Sequence, residues 1–428
     1  MLNEYDRRKK LICFSAVFFG IYLLFIAYRI VRVYIGGCGY PTADFRFYPD
    51  DRFKDFFTIN YAVKDRNPYL TDLSNYPPLV LLFAFAWSKL FGEDWSGFGP
   101  VTLQEGINDP AIRASFVTFW IAYFVIFLAI CVVYGLKKKK EGKASIAPLS
   151  FFVGAMLMGS APNIFLLDRG NYLAITVILF LLWAICEQES PDKMWGPVLL
   201  ALCAATKIYP VYIIGLYLID RRWRHFLVSV FTGLAVTVAG IFCMYGNFID
   251  NVKHFGAGVL GFGGGGLYSG YFTVGLTGLC TFIFRLFGLM PKGGVTKIVW
   301  LFSGAVLTLL GMWLLRGEKK VWKKIMVATA LMTFLTPNAY LYNSTYMFPS
   351  IFLMLTDKET MKKEDMPYVL MSAMLLVPKA FKYLPDIPDP FCPQEYNTMN
   401  VGIAVDALLY LGIIVYYFVR RIKEKKAV

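Results

Sequence analysis

The stretch DFRFYPDDRFKDFFTINYAVKDRNPYLTDLSNYPPL, Asp44 to Leu79, decides the reading of the chain. It opens with four aspartates, Asp44, Asp50, Asp51 and Asp55, set among arginines, lysines and aromatic residues. Such a segment is too polar to lie in hydrocarbon, where charged side chains and unpaired backbone groups are costly. Yet it follows a largely apolar run, Leu11 to Tyr34, and leads into another, Pro77 to Phe91. A polar island between apolar runs reads as a loop at a membrane face. The remainder of the chain repeats the pattern.

Composition points the same way. Of 428 residues, 57% are hydrophobic and 17% charged, and the mean hydropathy is +0.54. That balance describes a polytopic membrane protein and excludes an ordinary soluble domain. No polar segment is long enough to fold separately, so the chain reads as one membrane-embedded domain over 1–428, with a first outer loop over 35–113. The net charge of +14 lies in short clusters between apolar runs, such as Arg7 to Lys10 and Lys137 to Lys140. This is the positive-inside pattern rather than a nucleic-acid surface. Eight cysteines occur without a C-x-x-C pair, which indicates neither a zinc site nor a redox couple. Cys38 and Cys392 both fall in outer loops, where they stand either as a pair or as two separate thiols. The N-terminal apolar run is longer than the core of a cleaved signal peptide and reads as a retained first helix.

Stepping from one basic cluster to the next gives an all-α polytopic integral membrane protein of about 12 transmembrane helices, with both termini cytoplasmic. Pro77 to Phe91 is short for a ~30 Å core and reads as a re-entrant or surface helix. The polar segments Asp44 to Tyr76, Asp168 to Asn171, Lys207 to Pro210, a glycine-rich loop with His254, and Asn338 to Asn343 all fall outside. Several adjoin shortened apolar spans, which are tolerated where backbone lines a wet cavity. One outward-facing polar cavity follows, with extracytoplasmic loops forming the active site. The glycines between positions 261 and 266 suggest a mobile loop.

If Asp51 to Ile59 is helical, Asp51 and Asp55 stand at i, i+4 on one face. Phe53, Phe56 and Phe57 then fasten that helix to the membrane surface. Like charges one turn apart repel, so the pair calls for a shared cation or for one carboxylate held as a general base. The competing reading is a set of solvated acids interleaved with Arg46, Arg52 and Lys54.

The order of motifs is recognisable: an aspartate, then Asn67-Pro68-Tyr69, then Tyr76-Pro77-Pro78-Leu79, then Arg169-Gly170-Asn171, then Lys207-Ile208-Tyr209-Pro210, with a weaker echo over Thr336 to Tyr346. It resembles the GT-C superfamily of polyprenol-phosphate-sugar-dependent glycosyltransferases. Within it the chain is most similar to the family 87 mannosyltransferases of bacterial envelopes and to the first mannosyltransferases of GPI-anchor synthesis. The resemblance implies an inverting transfer of a hexose, with mannose foremost, from a polyprenyl-phosphate donor to a glycan or glycolipid acceptor outside a bacterial plasma membrane. It also implies that an aspartate of the first outer loop is the catalytic base, in the order Asp51, Asp55, Asp44.

Arg169 and Lys207 are then the partners of the donor phosphate, since fixed cations stabilise charge where it develops. Their competing readings are a salt bridge of Arg169 with Asp168 and a lysine that snorkels to headgroups. Tyr209 joins them as a phosphate ligand. Asp168, Asn171, Tyr342 and Asn343 are candidates for the sugar and acceptor, although interfacial placement competes for the tyrosines. His254 is a candidate for proton transfer or phosphate binding against a bystander role, while His225 belongs to the inner basic cluster. No cofactor is required, and the acids leave room for a divalent cation that no ligand set demands. Membrane lipids are the remaining partners. A transporter or lipid-linked sugar flippase is the rival reading, but it calls for an internal repeat that the sequence lacks. A polymerase or ligase of surface polysaccharide calls for more outer arginines.

Overall fold

A computed structural model of the protein describes residues 2–36, 52–64, 67–69, 76–100, 102–140, 146–269, 273–287, 289, 293–356, 363–379 and 397–426. Asp44, Asp51, Cys38 and Cys392 lie outside the described residues.

The described chain is helical, with a single isolated antiparallel bridge, Thr273 to Tyr340, and no named strand among the described residues. Its α-helices are α1 (Leu2–Gly36), α2 (Lys54–Val63), α3 (Pro78–Phe91), α4 (Pro110–Lys140), α5 (Ala147–Met158), α6 (Ala161–Arg169), α7 (Leu173–Glu189), α8 (Trp195–Thr206) and α9 (Val211–Ile219). They continue as α10 (Trp223–Phe242), α11 (Phe248–Ser269), α12 (Leu276–Leu286), α13 (Gly293–Leu315), α14 (Val321–Leu335), α15 (Phe348–Thr356), α16 (Met366–Leu376) and α17 (Asn397–Lys426). A backbone in lipid must satisfy its own hydrogen bonds, and helices of apolar residues do so.

Five helices carry stretches long and apolar enough to cross a membrane: Lys9–Tyr28, Pro110–Lys138, Trp223–Phe242, Lys297–Leu315 and Gly402–Lys425. α5 and α6 make a sixth if taken together as one span bent by 55°. The bend exposes carbonyls that are taken up locally: Ser160 Oγ donates to Leu157 O at 2.6 Å and Asn163 Nδ2 to Met158 O at 2.8 Å. Among the described residues length and composition give five or six spans and not about twelve, because apolar helices such as α3 and α8 are shorter than the ~20 residues of a full crossing.

The chain divides into two compact units. One comprises 1–46, 135–165 and 265–428, and the other 47–134 and 166–264. In the first unit α14 and α15 form the core, with Ile325 to Leu331 and every residue of α15 buried. Charges buried there are paired: Asp365 accepts Lys320 and Lys323, each at 2.8 Å, and Asp406 on α17 pairs with Lys379 at 2.6 Å.

In the second unit α2 is wedged against the start of α4 and the start of α7. Phe56 and Phe57 are fully buried, Phe56 stacked on Tyr172 at 5.2 Å and Phe57 against Trp95 at 5.8 Å. Phe53 lies 4.4 Å from Phe116. These rings therefore pack inside the protein and do not fasten a surface helix to lipid, because α4 and α7 offer them an aromatic wall.

Two further expectations are corrected. α2 begins at Lys54, with Phe53 as its left-handed N-cap, later than the expected start at Asp51, which itself lies outside the described residues. The glycine-rich segment is not a loop but part of α11. Glycine lowers helix propensity, but a helix still satisfies the backbone in an apolar setting, where glycine is common in helices.

Candidate active site

Asp55 sits in the first turn of α2, and the turn between α6 and α7 is folded against that helix. Phe53, at the N-cap of α2, has φ 59° and sends its N–H to Asp168 O at 2.7 Å. Left-handed backbone at a bulky residue is strained, and it persists only where the surroundings hold it. Gly170 faces it with φ +65°, so close that a Cβ there would stand 2.9 Å from Phe56 Cβ and 3.1 Å from Phe53 O. The Arg-Gly-Asn motif thus has a physical reason for its glycine: the turn must be left-handed and bare to admit α2.

The flanking residues of that glycine both reach Asp55. Arg169 Nη2 donates to Oδ1 at 2.8 Å, and Asn171 Nδ2 donates to Oδ2 at 2.7 Å. The Asp55 and Arg169 side chains are 17% and 16% exposed, which leaves the pair partly desolvated but reachable. Asn171 is oriented by α7, because its Oδ1 accepts the N–H of Leu173 at 2.9 Å. Its Nδ2 then points to Asp55 and also to the Tyr76 hydroxyl at 2.8 Å. On the other side, Lys207 Nζ lies 4.0 Å from the centroid of the Tyr76 ring.

Lys207 follows α8 on the link to α9, outside the five candidate spans. Its ammonium is closely surrounded by protein, and burial pulls it down to about 8 while Asp55 opposes the shift. Burial pushes the Tyr76 phenol well above its ordinary range, with the Asp55 carboxylate adding to the effect and Tyr209 near enough to contribute. Asp55, Arg169, Asn171, Tyr76 and Lys207 therefore form one cluster in which, among the described residues, Asp55 is the only carboxylate, beside two cations.

Of the residues singled out from sequence, Asp55, Arg169, Asn171 and Lys207 come together here, with Tyr209 close by. Asp168 contributes its backbone carbonyl to α2, and Arg169 pairs with Asp55. His254 is exposed on α11. Tyr342 and Asn343 belong to the first unit, both buried, with Tyr342 stacked on Phe165 at 5.7 Å. Among the described residues no group of three or more His, Cys, Asp or Glu is arranged to hold a metal ion.

Sequence reasoning missed Tyr76 as a site residue. It also missed the support behind α2, where Tyr172 OH donates to Asn60 Oδ1 at 2.5 Å and Asn60 Nδ2 donates to both Glu93 oxygens at 3.0 Å. Ser88 and Trp95 complete the Glu93 carboxylate at 2.9 and 2.7 Å. Tyr76 carries a readable signal, since it directly precedes Pro77-Pro78; Asn60 and Glu93 carry none.

The architecture and the charged cluster define a helical integral membrane protein built for polar chemistry. Residues 109–338, more than half of the chain, match glycosyltransferase family 87, and the chain belongs to that family. It is a membrane glycosyltransferase, so its substrates are a sugar donor and a glycan acceptor. The match includes Arg169, Asn171 and Lys207 and begins after Asp55 and Tyr76. No curated protein and no solved structure matches the chain.

Proposed function

We propose that the protein transfers a hexose, mannose foremost, from a polyprenyl-phosphate donor to a glycan or glycolipid acceptor on the extracytoplasmic face of a bacterial plasma membrane, with inversion at the anomeric carbon. The observation that carries this reading is the cluster in which one carboxylate, Asp55, lies between Arg169 and Lys207. With Lys207 protonated the three charges sum to +1, which suits the single negative charge of a phosphodiester donor.

As the acceptor oxygen bonds to the anomeric carbon, the bond from that carbon to the phosphate oxygen breaks. The bonding pair stays on the phosphate, and the acceptor proton passes to a carboxylate. Arg169 and Lys207, with Tyr209 beside them, stabilise the phosphate charge as it grows. Asp55 is the proposed base. Its two described hydrogen bonds use only part of a carboxylate's acceptor capacity, so lone pairs remain for a hydroxyl. Asp51 and Asp44 stand as the alternatives. Asn171 keeps Asp55 in place, and His254 and Asp168 are proposed contacts of the sugars.

The test is a transfer assay with purified protein in nanodiscs, polyprenyl-phosphate mannose or glucose labelled in the sugar, and a membrane lipid extract as acceptor. Label should enter a new product of inverted configuration, and Asp55→Asn should abolish it. Full transfer by Asp55→Asn, with loss in Asp51→Asn or Asp44→Asn, moves the base to that residue. No label from either donor overturns the donor assignment.

A further inference from the structure

We propose that Tyr76 is a positioning residue of the transfer reaction: its ring seats the Lys207 ammonium at the donor phosphate, and its hydroxyl ties that seat to the amide holding Asp55. This rests on the phosphate role of Lys207 given above.

The backbone argument comes first. A residue before proline is confined to extended conformations, and Pro78 is at the first helical position of α3, where its missing N–H costs nothing. Tyr76 is therefore held by Pro77 and Pro78 on one side, while its carbonyl accepts the Tyr69 hydroxyl at 3.2 Å. Asn-Pro-Tyr and Tyr-Pro-Pro-Leu, two motifs of one loop, thus meet in a single hydrogen bond. The side chain is fixed as well. Tyr76 is 9% exposed, and the amide that reaches its hydroxyl is itself pinned by the N–H of Leu173.

Lys207 is anchored at its backbone, and among the described residues the contact of its ammonium is the Tyr76 ring. Its N–H donates to Cys203 O at 2.9 Å, and Thr206 Oγ1 shares that carbonyl at 2.8 Å while bonding Thr176 Oγ1 at 2.9 Å. The four-carbon stem is otherwise flexible. Something must hold its end. A carboxylate would neutralise the ammonium and compete with a phosphate. An aromatic face attracts a cation without adding net charge, so the ammonium stays available to an anion.

The test uses the full-length protein in nanodiscs with lysines carrying 13C-methyl groups. The Lys207 resonance is the one absent from Lys207→Arg. It should be shifted by the ring in wild type and Tyr76→Phe, and unshifted in Tyr76→Leu. Tyr76→Met serves if the leucine variant does not fold. Polyprenyl phosphate binding, measured on the same proteins, should weaken roughly two- to thirtyfold in Tyr76→Leu and be restored in large part in Tyr76→Phe, which keeps the ring and loses only the hydroxyl tie. It should show no further loss when Tyr76→Leu is added to Lys207→Met.

A wild-type resonance without a ring shift overturns the seat, whatever the donor is. A ring shift together with equal losses in both backgrounds reduces Tyr76 to general support and overturns the positioning role. A ring shift in a wild type that binds no polyprenyl phosphate overturns the phosphate reading and leaves the ring contact standing as structure alone.

Discussion

Replacing Gly170 by alanine probes the whole arrangement with one methyl group. The residue has φ +65°, and left-handed backbone costs an alanine about 1–2 kcal/mol. The new Cβ would also lie 2.9 Å from Phe56 Cβ, 3.1 Å from Phe53 O and 3.2 Å from Phe53 Cα. Two of these atoms are backbone, and Phe56 is fully buried against Tyr172, so none can swing aside cheaply. Overpacking of this kind adds about 1–3 kcal/mol. The sum, about 2–5 kcal/mol, would appear as a lower thermal midpoint in detergent. α2 can relieve the contact only by moving away from the turn, which draws Asp55 off Arg169 and Asn171. Displacement near 1 Å costs roughly a hundredfold in rate, so transfer activity should fall further than stability. Gly256→Ala is the control, since nothing lies within 4 Å of its Cβ position. If Gly170→Ala matched that control in both thermal midpoint and transfer rate, the docking of α2 on the turn would be refuted.

Three further outcomes are expected. The Lys207 ammonium loses its proton as pH rises through about 8, and the attraction proposed for the donor phosphate goes with it. kcat/KM should therefore fall on the alkaline side near that pH, and Lys207→Arg should carry whatever activity it retains to higher pH. Glu93→Ala leaves the Asn60 amide, Ser88 and Trp95 without their acceptor; unfolding should be easier by about 2–4 kcal/mol, with a smaller loss in Glu93→Gln. Lys379→Met strands Asp406, which is 2% exposed, and should cost about 3–5 kcal/mol in denaturation, whereas the double variant with Asp406→Leu should recover most of it.

What could be read from sequence was the chemistry of short motifs. Arg169-Gly170-Asn171 and Lys207 stood out because charges at the ends of apolar helices need a reason. Asp55 stood out as one acid among several, and only its contacts with Arg169 and Asn171 separate it from a solvated loop. The aromatic residues misled. Phe56 and Phe57 beside a polar loop look like membrane anchors, and only the positions of Phe116, Trp95 and Tyr172, distant in the chain, turn them inward. The glycine run misled for a related reason, since glycine's flexibility is a property of the residue and the need to pair the backbone is a property of its surroundings. Tyr76 escapes a reading by sequence because its partners, Asn171 and Lys207, lie 95 and 131 residues away and no local pattern announces them.

The same separations bear on biosynthesis. Asp55 and Arg169 are 114 residues apart, and Lys207 is made later still. At ~5–20 residues per second, the nascent chain carries Asp55 for roughly 6 to 23 s before its guanidinium partner exists. During that interval the first loop has to stay in water, since lipid would charge the full cost of an unpaired carboxylate. α2 can take its docked position only when the turn after α6 arrives. Chains stopped short of Asn171 should expose that helix to added protease, and chains extended past Lys207 should protect it.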